Sequence, residues 1–197
     1  IDELTGVEGA RAGAGASPRR GPRWRRAVVL PGATALAVVV AIAVIVIGGA
    51  GSAPTVPQAA RLALASATLP APAVDPAQPA NLKFQGAGIP FPSWGGATGW
   101  TATGARTDTV RGRRITTVFY TGRHGNEIGY AITSGPPLSG ARGRTTWRYN
   151  VRFTQQRQGR ARVITWVRSG HTCVIAGRAV SYQTLMQLAG AGEQQAE

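Results

Sequence analysis

The chain predicts an α+β protein in which a single transmembrane helix precedes a mostly antiparallel β-sheet domain with a short C-terminal helix. Three observations predict it. Residues 27–47, AVVLPGATALAVVVAIAVIVI, contain no charged side chain and one polar one, Thr34. From residue 81 onward, short runs rich in Val, Ile, Thr and aromatic residues alternate with polar ones between glycine-containing turns, the pattern of β-hairpins. Close to the C-terminus, Ser181 stands where a helix cap belongs, ahead of YQTLMQLA.

Residues 1–26 hold too few apolar side chains to bury a core and read as a disordered, basic, cytoplasmic segment. The 21 residues 27–47, at about 1.5 Å each, reach about 31 Å as a helix and match a hydrocarbon core about 30 Å thick. Pro31 and Gly32 fall near the first turn, where proline is tolerated. A buried core helix or strand is the first alternative, because Val and Ile favour sheets. A secretory signal peptide cut among the small residues 48–53 is the second. Arg19, Arg20, Arg23, Arg25 and Arg26 crowd the N-terminal flank, and the next basic residue is Arg61. The positive-inside rule then places the N-terminus in the cytoplasm and the C-terminal domain outside, a single-pass protein of the cell membrane whose arginine flank touches lipid headgroups.

Residues 48–80 read as an Ala/Pro-rich linker. Thr55 is an N-cap candidate for a short helix reaching Leu69, after which Pro70, Pro72, Pro76 and Pro79 favour an extended spacer. Residues 81–190 form the predicted β-rich domain of about six strands. IPFPSW at 89–94 suits an extended lid or sheet edge, because proline has no N–H to give a ladder. Strands are expected over 99–110, 114–120 and 127–133. In the second of these Ile115, Thr117 and Phe119 oppose Thr116, Val118 and Tyr120. The clearest alternation runs over 146–154, with Trp147, Tyr149, Val151 and Phe153 on one face and Arg148, Asn150 and Arg152 on the other. Residues 162–168 and 171–176 pair across a two-residue Ser169-Gly170 turn. Val180 and Leu185 staple the terminal helix, and residues 191–197 form a frayed tail.

The net charge is +14, and residues 81–197 hold 15 basic side chains against four acidic ones. Such a domain attracts polyanions. Arg148, Arg152, Arg160, Arg162 and Arg168 form a candidate polyanion face, set against the plainer reading of a solvated sheet face. Cys173 is the only cysteine, which excludes an intramolecular disulfide, and it reads as a small buried hydrophobe. His171 and Cys173 share a strand face, yet zinc needs three or four ligands and no partner cluster is present. Asp108 and Glu127 are thin material for paired acid–base chemistry, and no G-x-S-x-G elbow occurs. Gly86-Ala-Gly88 and Gly95-Gly96 read as turns rather than a phosphate loop. No enzyme activity, catalytic residue, metal or cofactor is expected, and no nucleic acid partner.

The order of basic flank, apolar run, Pro/Ala linker and then FPSWGGATGW, RTDTVRGRRITTVFY, IGYAI and TWVRSGHTCVIAG resembles the transmembrane and extracytoplasmic part of actinobacterial membrane-anchored anti-sigma factors. The resemblance covers about residues 20–190. It implies a regulator of transcription whose outer part responds to envelope conditions, with an extracytoplasmic-function sigma factor held by a separate cytoplasmic domain, often of His-x3-Cys-x2-Cys zinc type. Here no such motif precedes residue 27, so the resemblance extends only to an anchor and sensor half, and no functional residue carries across. The alternative is a membrane-tethered cationic module that holds an anionic cell-envelope polymer.

Overall fold

The computed structural model describes residues 46–47 and 53–194, all within the unit Val40–Glu197. Residues 1–45, 48–52 and 195–197 lie outside the described residues, and with them the arginine flank, nearly all of the predicted span and the end of the tail.

Among the described residues ten strands and three helices follow in order. They are β1 (Val46–Ile47), α1 (Val56–Ala63), β2 (Asn81–Gly86), β3 (Ile89–Pro92), α2 (Gly95–Thr98), β4 (Thr101–Val110), β5 (Arg113–Thr121), β6 (Glu127–Thr133), β7 (Arg144–Arg148), β8 (Val151–Gln158), β9 (Ala161–Arg168), β10 (His171–Gly177) and α3 (Tyr182–Gln194). Eight strands make one sheet in the order β1-β4-β5-β6-β10-β9-β8-β7, antiparallel except at β1. The remaining hairpin, β2–β3, lies on one face of that sheet, giving a β-sandwich-like arrangement.

The predicted fold class needs one correction. Among the described residues no helix is long and apolar enough to cross a membrane. Residues 46 and 47, the described end of the expected span, are extended and pair parallel with Thr109 and Val110. An apolar run of Val and Ile meets the hydropathy criterion for a membrane helix and equally suits a strand, so composition alone did not separate the two. The single-pass placement, with the N-terminus cytoplasmic and the C-terminal domain extracytoplasmic, rested on that helix and is overturned with it.

The sheet buries both faces. Along β10 every residue from Thr172 to Gly177 is buried, as expected of a central strand covered on two sides. On one face Leu82, Ile89, Phe91 and Trp94 of the β2–β3 layer join Leu185, Met186, Leu188 and Ala189 of α3 over Val118, Tyr120, Ile128, Tyr130, Ile132, Phe153, Ile164, Trp166, Cys173 and Ile175. Aromatic rings dominate this layer. Trp94 lies 4.5 Å from Tyr120 and 5.9 Å from Tyr130, and Tyr130 stacks on Trp166 at 5.4 Å. The Tyr120 hydroxyl donates to the carbonyl of Pro92 at 2.9 Å, so the prolines of 89–94 sit in a hairpin that covers the sheet.

On the opposite face α1 packs Val56, Ala59, Ala60 and Ala63 against Ile115, Ala131, Val163, Val174 and Ala176. That spacing, i, i+3, i+4, i+7, is one helix stripe. Thr55 N-caps the helix, its backbone N–H donating to Gln58 Oε1 at 2.9 Å. Residues 53–74 therefore lie on the domain, with further bridges at Leu69–Ala105 and Val74–Leu82. Close approach depends on Gly129, where an added Cβ would meet the Ala63 carbonyl oxygen at 1.9 Å. Past α1 the chain is clamped by Arg106, which donates from Nε and Nη2 to the two oxygens of Asp108 at 2.7 Å and from Nη1 to the Ser66 carbonyl at 2.8 Å.

The stretch 146–154, expected as one strand, is a hairpin. Tyr149 and Asn150 both have positive φ, 49° and 57°, the backbone of a two-residue type I′ turn. The turn reverses the chain, so Trp147 and Phe153 sit on opposite faces: Phe153 is buried and Trp147 is 67% exposed. The terminal helix starts where expected, with Ser181 Oγ accepting from Thr184 N–H at 3.0 Å, and runs on to residue 194.

Removing one partner of the buried Arg106–Asp108 pair strands the other. Asp108→Ala is expected to destabilise the fold by about 3–5 kcal/mol, whereas replacing both residues by apolar ones of similar volume should cost far less. Urea unfolding of the single and double variants measures the difference.

Candidate functional site

The strongest concentration of uncompensated chemistry is the β7–β8 hairpin and its flanks. Arg142, Arg144, Arg148, Arg152, Arg157 and Arg160 are all exposed, and no acidic residue occurs between Glu127 and Glu193. None of the six makes a side-chain hydrogen bond or ion pair among the described residues.

Alternation distributes them over both sides of the ribbon. Arg148 pairs with Val151 and Arg144 with Gln155, on the side of Phe153. Arg152 stands opposite Trp147 on the other side. The pair next to a two-residue turn exchanges both backbone hydrogen bonds, so Trp147 and Arg152 occupy the following, non-hydrogen-bonded position, where side chains come closest. On that side Val167 is also exposed. Arg157 directly opposes Arg162 on β9, a juxtaposition of like charges that costs stability.

Contacts with the helices hold the ribbon, and Gln158 Nε2 donates to the Pro57 carbonyl of α1 at 3.0 Å. Tyr149 lies against α3 at Gly190, where an added Cβ would come within 2.9 Å of the ring. The Tyr182 hydroxyl donates to the Gln156 carbonyl at 2.7 Å. These contacts fall on the turn and on β8, and the residues of β7 are exposed on both faces except for half-buried Thr146. β7 is also the sheet's edge.

The five arginines expected to share a face are divided. Arg148 and Arg152 are on opposite sides of the ribbon, and Arg160 lies in the turn between β8 and β9. Arg162 is half-buried, donating from Nη1 to the Val180 carbonyl at 2.9 Å, 5.8 Å from the Tyr182 ring centre. Arg168 lies 3.7 Å from Glu193 on α3. The last two are therefore engaged in holding α3. Sequence reasoning passed over Arg142, Arg144 and Arg157 and took Trp147 as core. The missed signal was Asn150, a residue that tolerates positive φ, placed midway along an apparent strand.

His171 and Cys173 offer no site. His171 Nδ1 is 3.1 Å from the Gly135 carbonyl oxygen, and Cys173 is fully buried, accepting the Tyr130 hydroxyl at 3.4 Å. His124 lies in the β5–β6 turn, at the far end of β6 from His171. Among the described residues no group of three or more His, Cys, Asp or Glu side chains is placed to hold a metal ion. Burial pushes the Cys173 thiol up to about 12 and the Tyr130 hydroxyl well above its ordinary range. Burial also raises Glu193, against the opposing effects of the Trp166 Nε1–H bond at 2.8 Å and Arg168.

Comparison of the chain with family models, with curated proteins and with solved structures gives no match in any of the three.

The environment of Cys173 makes a firm expectation. The native thiol should resist an aromatic disulfide reagent at neutral pH and react only on unfolding, because the thiolate is the nucleophile. A thiol whose folded pKa lies above its unfolded value favours the folded state below about pH 8.5 and loses that contribution as pH rises toward 12. Cys173→Ala should therefore flatten the alkaline limb of the stability profile, measured by thermal unfolding between neutral pH and the alkaline range.

Proposed function

We propose that this domain is a binding module for an extended, phosphate-bearing anionic polymer, held by the β7–β8 ribbon. One observation carries the reading: four exposed arginines on the β7–β8 hairpin, Arg144, Arg148, Arg152 and Arg157, with Arg142 and Arg160 beside it, none neutralised by a carboxylate among the described residues. Several arginines elsewhere in the domain are engaged, as Arg106 with Asp108, Arg162 with the Val180 carbonyl and Arg168 with Glu193, while Arg61, Arg114 and Arg123 are exposed singly and away from the ribbon. The guanidinium fork suits phosphate oxygens in pairs. Trp147 and Tyr149, 67% and 53% exposed, add flat apolar faces beside those charges. Charges on both sides of a ribbon suit a chain that wraps it rather than a flat surface laid against one face.

A solvated, edge-protecting ribbon is the plainer reading, since charge on an edge strand discourages pairing between sheets. Binding separates the two. Of the tryptophans among the described residues only Trp147 is exposed, so its emission reports directly on the ribbon. Titration with inorganic polyphosphate at low salt should shift that emission, with affinity falling steeply as salt rises. Replacing Arg144, Arg148 and Arg152 by Gln should reduce the slope of log K against log salt by about 2–3, because each phosphate neutralised adds about 0.7–0.9 to that slope. Absence of binding at low salt, or binding that the triple substitution leaves unchanged, would overturn the proposal.

A further inference from the structure

A second site lies away from the ribbon, where α1 ends over the start of β6. A pocket of about 570 Å³ opens there, within the range of about 300–1,000 Å³ that small-molecule sites occupy. Small residues form much of its lining: Ala63, Ala67 and Gly129 among them, with Phe119 supplying an aromatic side chain. Glu127 and Arg178 line it too, and their relation is unusual.

The antiparallel ladder between β6 and β10 ends at the pair Ile128–Gly177. Continued by one step, that register sets Glu127 opposite Arg178. Opposed positions bring Cβ atoms within about 4.5–5.5 Å, and an acid facing a base there ordinarily forms a cross-strand ion pair. None forms here. Arg178 turns to α1, its Nη1 donating to the Leu64 carbonyl at 3.3 Å. The Glu127 carboxylate takes no partner among the described residues, in a chain of net charge +14. Each other described carboxylate accepts a hydrogen bond: Asp75 from the Ala77 N–H, Asp108 from Arg106 and Glu193 from Trp166. Glu127 and Arg178 thus line one pocket with their opposite charges unspent on each other.

We infer that this pocket binds a small zwitterion with an apolar body, of the α-amino acid class, its ammonium group on Glu127 and its carboxylate on Arg178. Phe119 provides the apolar contact, and Ser66, Thr103 and Asn126 supply further polar groups in the lining. The polyanion proposed for the ribbon does not suit this pocket, because Glu127 repels it. The two proposals stand or fall separately.

The test uses the full chain and the standard L-amino acids as probes, followed by ligand-detected NMR through the millimolar range. At least one apolar amino acid should bind saturably, and its methyl ester and its N-acetyl derivative at least about tenfold more weakly. Glu127→Gln should remove the preference over the N-acetyl derivative, and Arg178→Gln the preference over the ester. Arg178→Lys, which keeps the charge, should retain most of the binding, and circular dichroism establishes that each variant is folded. No saturable binding by any of the amino acids, or binding that both Gln substitutions leave unchanged, would overturn the inference.

Discussion

A broad sheet has two faces, and each apolar face must be kept from water; the rest of this structure depends on how far the available cover extends. β6, β10 and β9 lie in the middle and are covered on both sides, by α1 on one and by the β2–β3 hairpin with α3 on the other. The two covers solve the problem differently. α1 presents mainly alanines and comes close enough that Gly129 must lack a side chain. The other cover meets the sheet through rings: Phe91 and Trp94 of the cover pack on Tyr120 and Tyr130 of the sheet, and Tyr130 stacks on Trp166. An unbranched small-residue helix loses little side-chain entropy on docking, and a ring cluster removes a large apolar area from water.

Cover ends before the sheet does. Past β9 the cover thins, and the side chains there change accordingly: Phe153 and Thr154 are the last buried residues on β8, and β7 has none. A strand exposed on both faces and along one edge needs charge on every side to stay unpaired. Arginine fulfils that need, which is why charge alone is not evidence of a ligand. What exceeds the need is the absence of compensation. An interspersed mixture of Lys, Arg, Asp and Glu protects an edge equally well without placing Arg157 opposite Arg162.

Much of the strand order was legible, because period-two alternation survives wherever one residue type marks each face. Ile115, Thr117 and Phe119 lie opposite Thr116, Val118 and Tyr120 as read, and the Ser169-Gly170 turn joins two strands in register. Alternation misled at 146–154, where Trp147 and Phe153 fit one period while a turn lay between them. It was silent on β2, whose mixed sequence NLKFQG marks no face, and on the docking of α1, whose alanines carry little hydropathy signal. Val46 and Ile47, the described end of the apolar run, show the limit of hydropathy itself: it measures preference for an apolar surrounding without saying whether lipid or protein supplies it. The arginines of the candidate site were found in part, Arg148, Arg152 and Arg160. Arg162 and Arg168 were grouped with them because sequence spacing does not show that α3 returns to hold both.

The Arg106–Asp108 pair bears on the zwitterion pocket as well as on stability. Two residues apart on one strand, their side chains share a face, and the guanidinium Nη1, not used by the carboxylate, donates to the Ser66 carbonyl. That bond fixes the segment leaving α1, and residues 63–67 of the same segment line the pocket. With that segment pinned from the β4 side, Arg178 donates to the Leu64 carbonyl from the β10 side. A buried ion pair on a different strand thus helps to fix the segment that Arg178 holds. Holding a charged pair apart before a ligand arrives spares the ligand the cost of breaking it, the arrangement expected of a preorganised site.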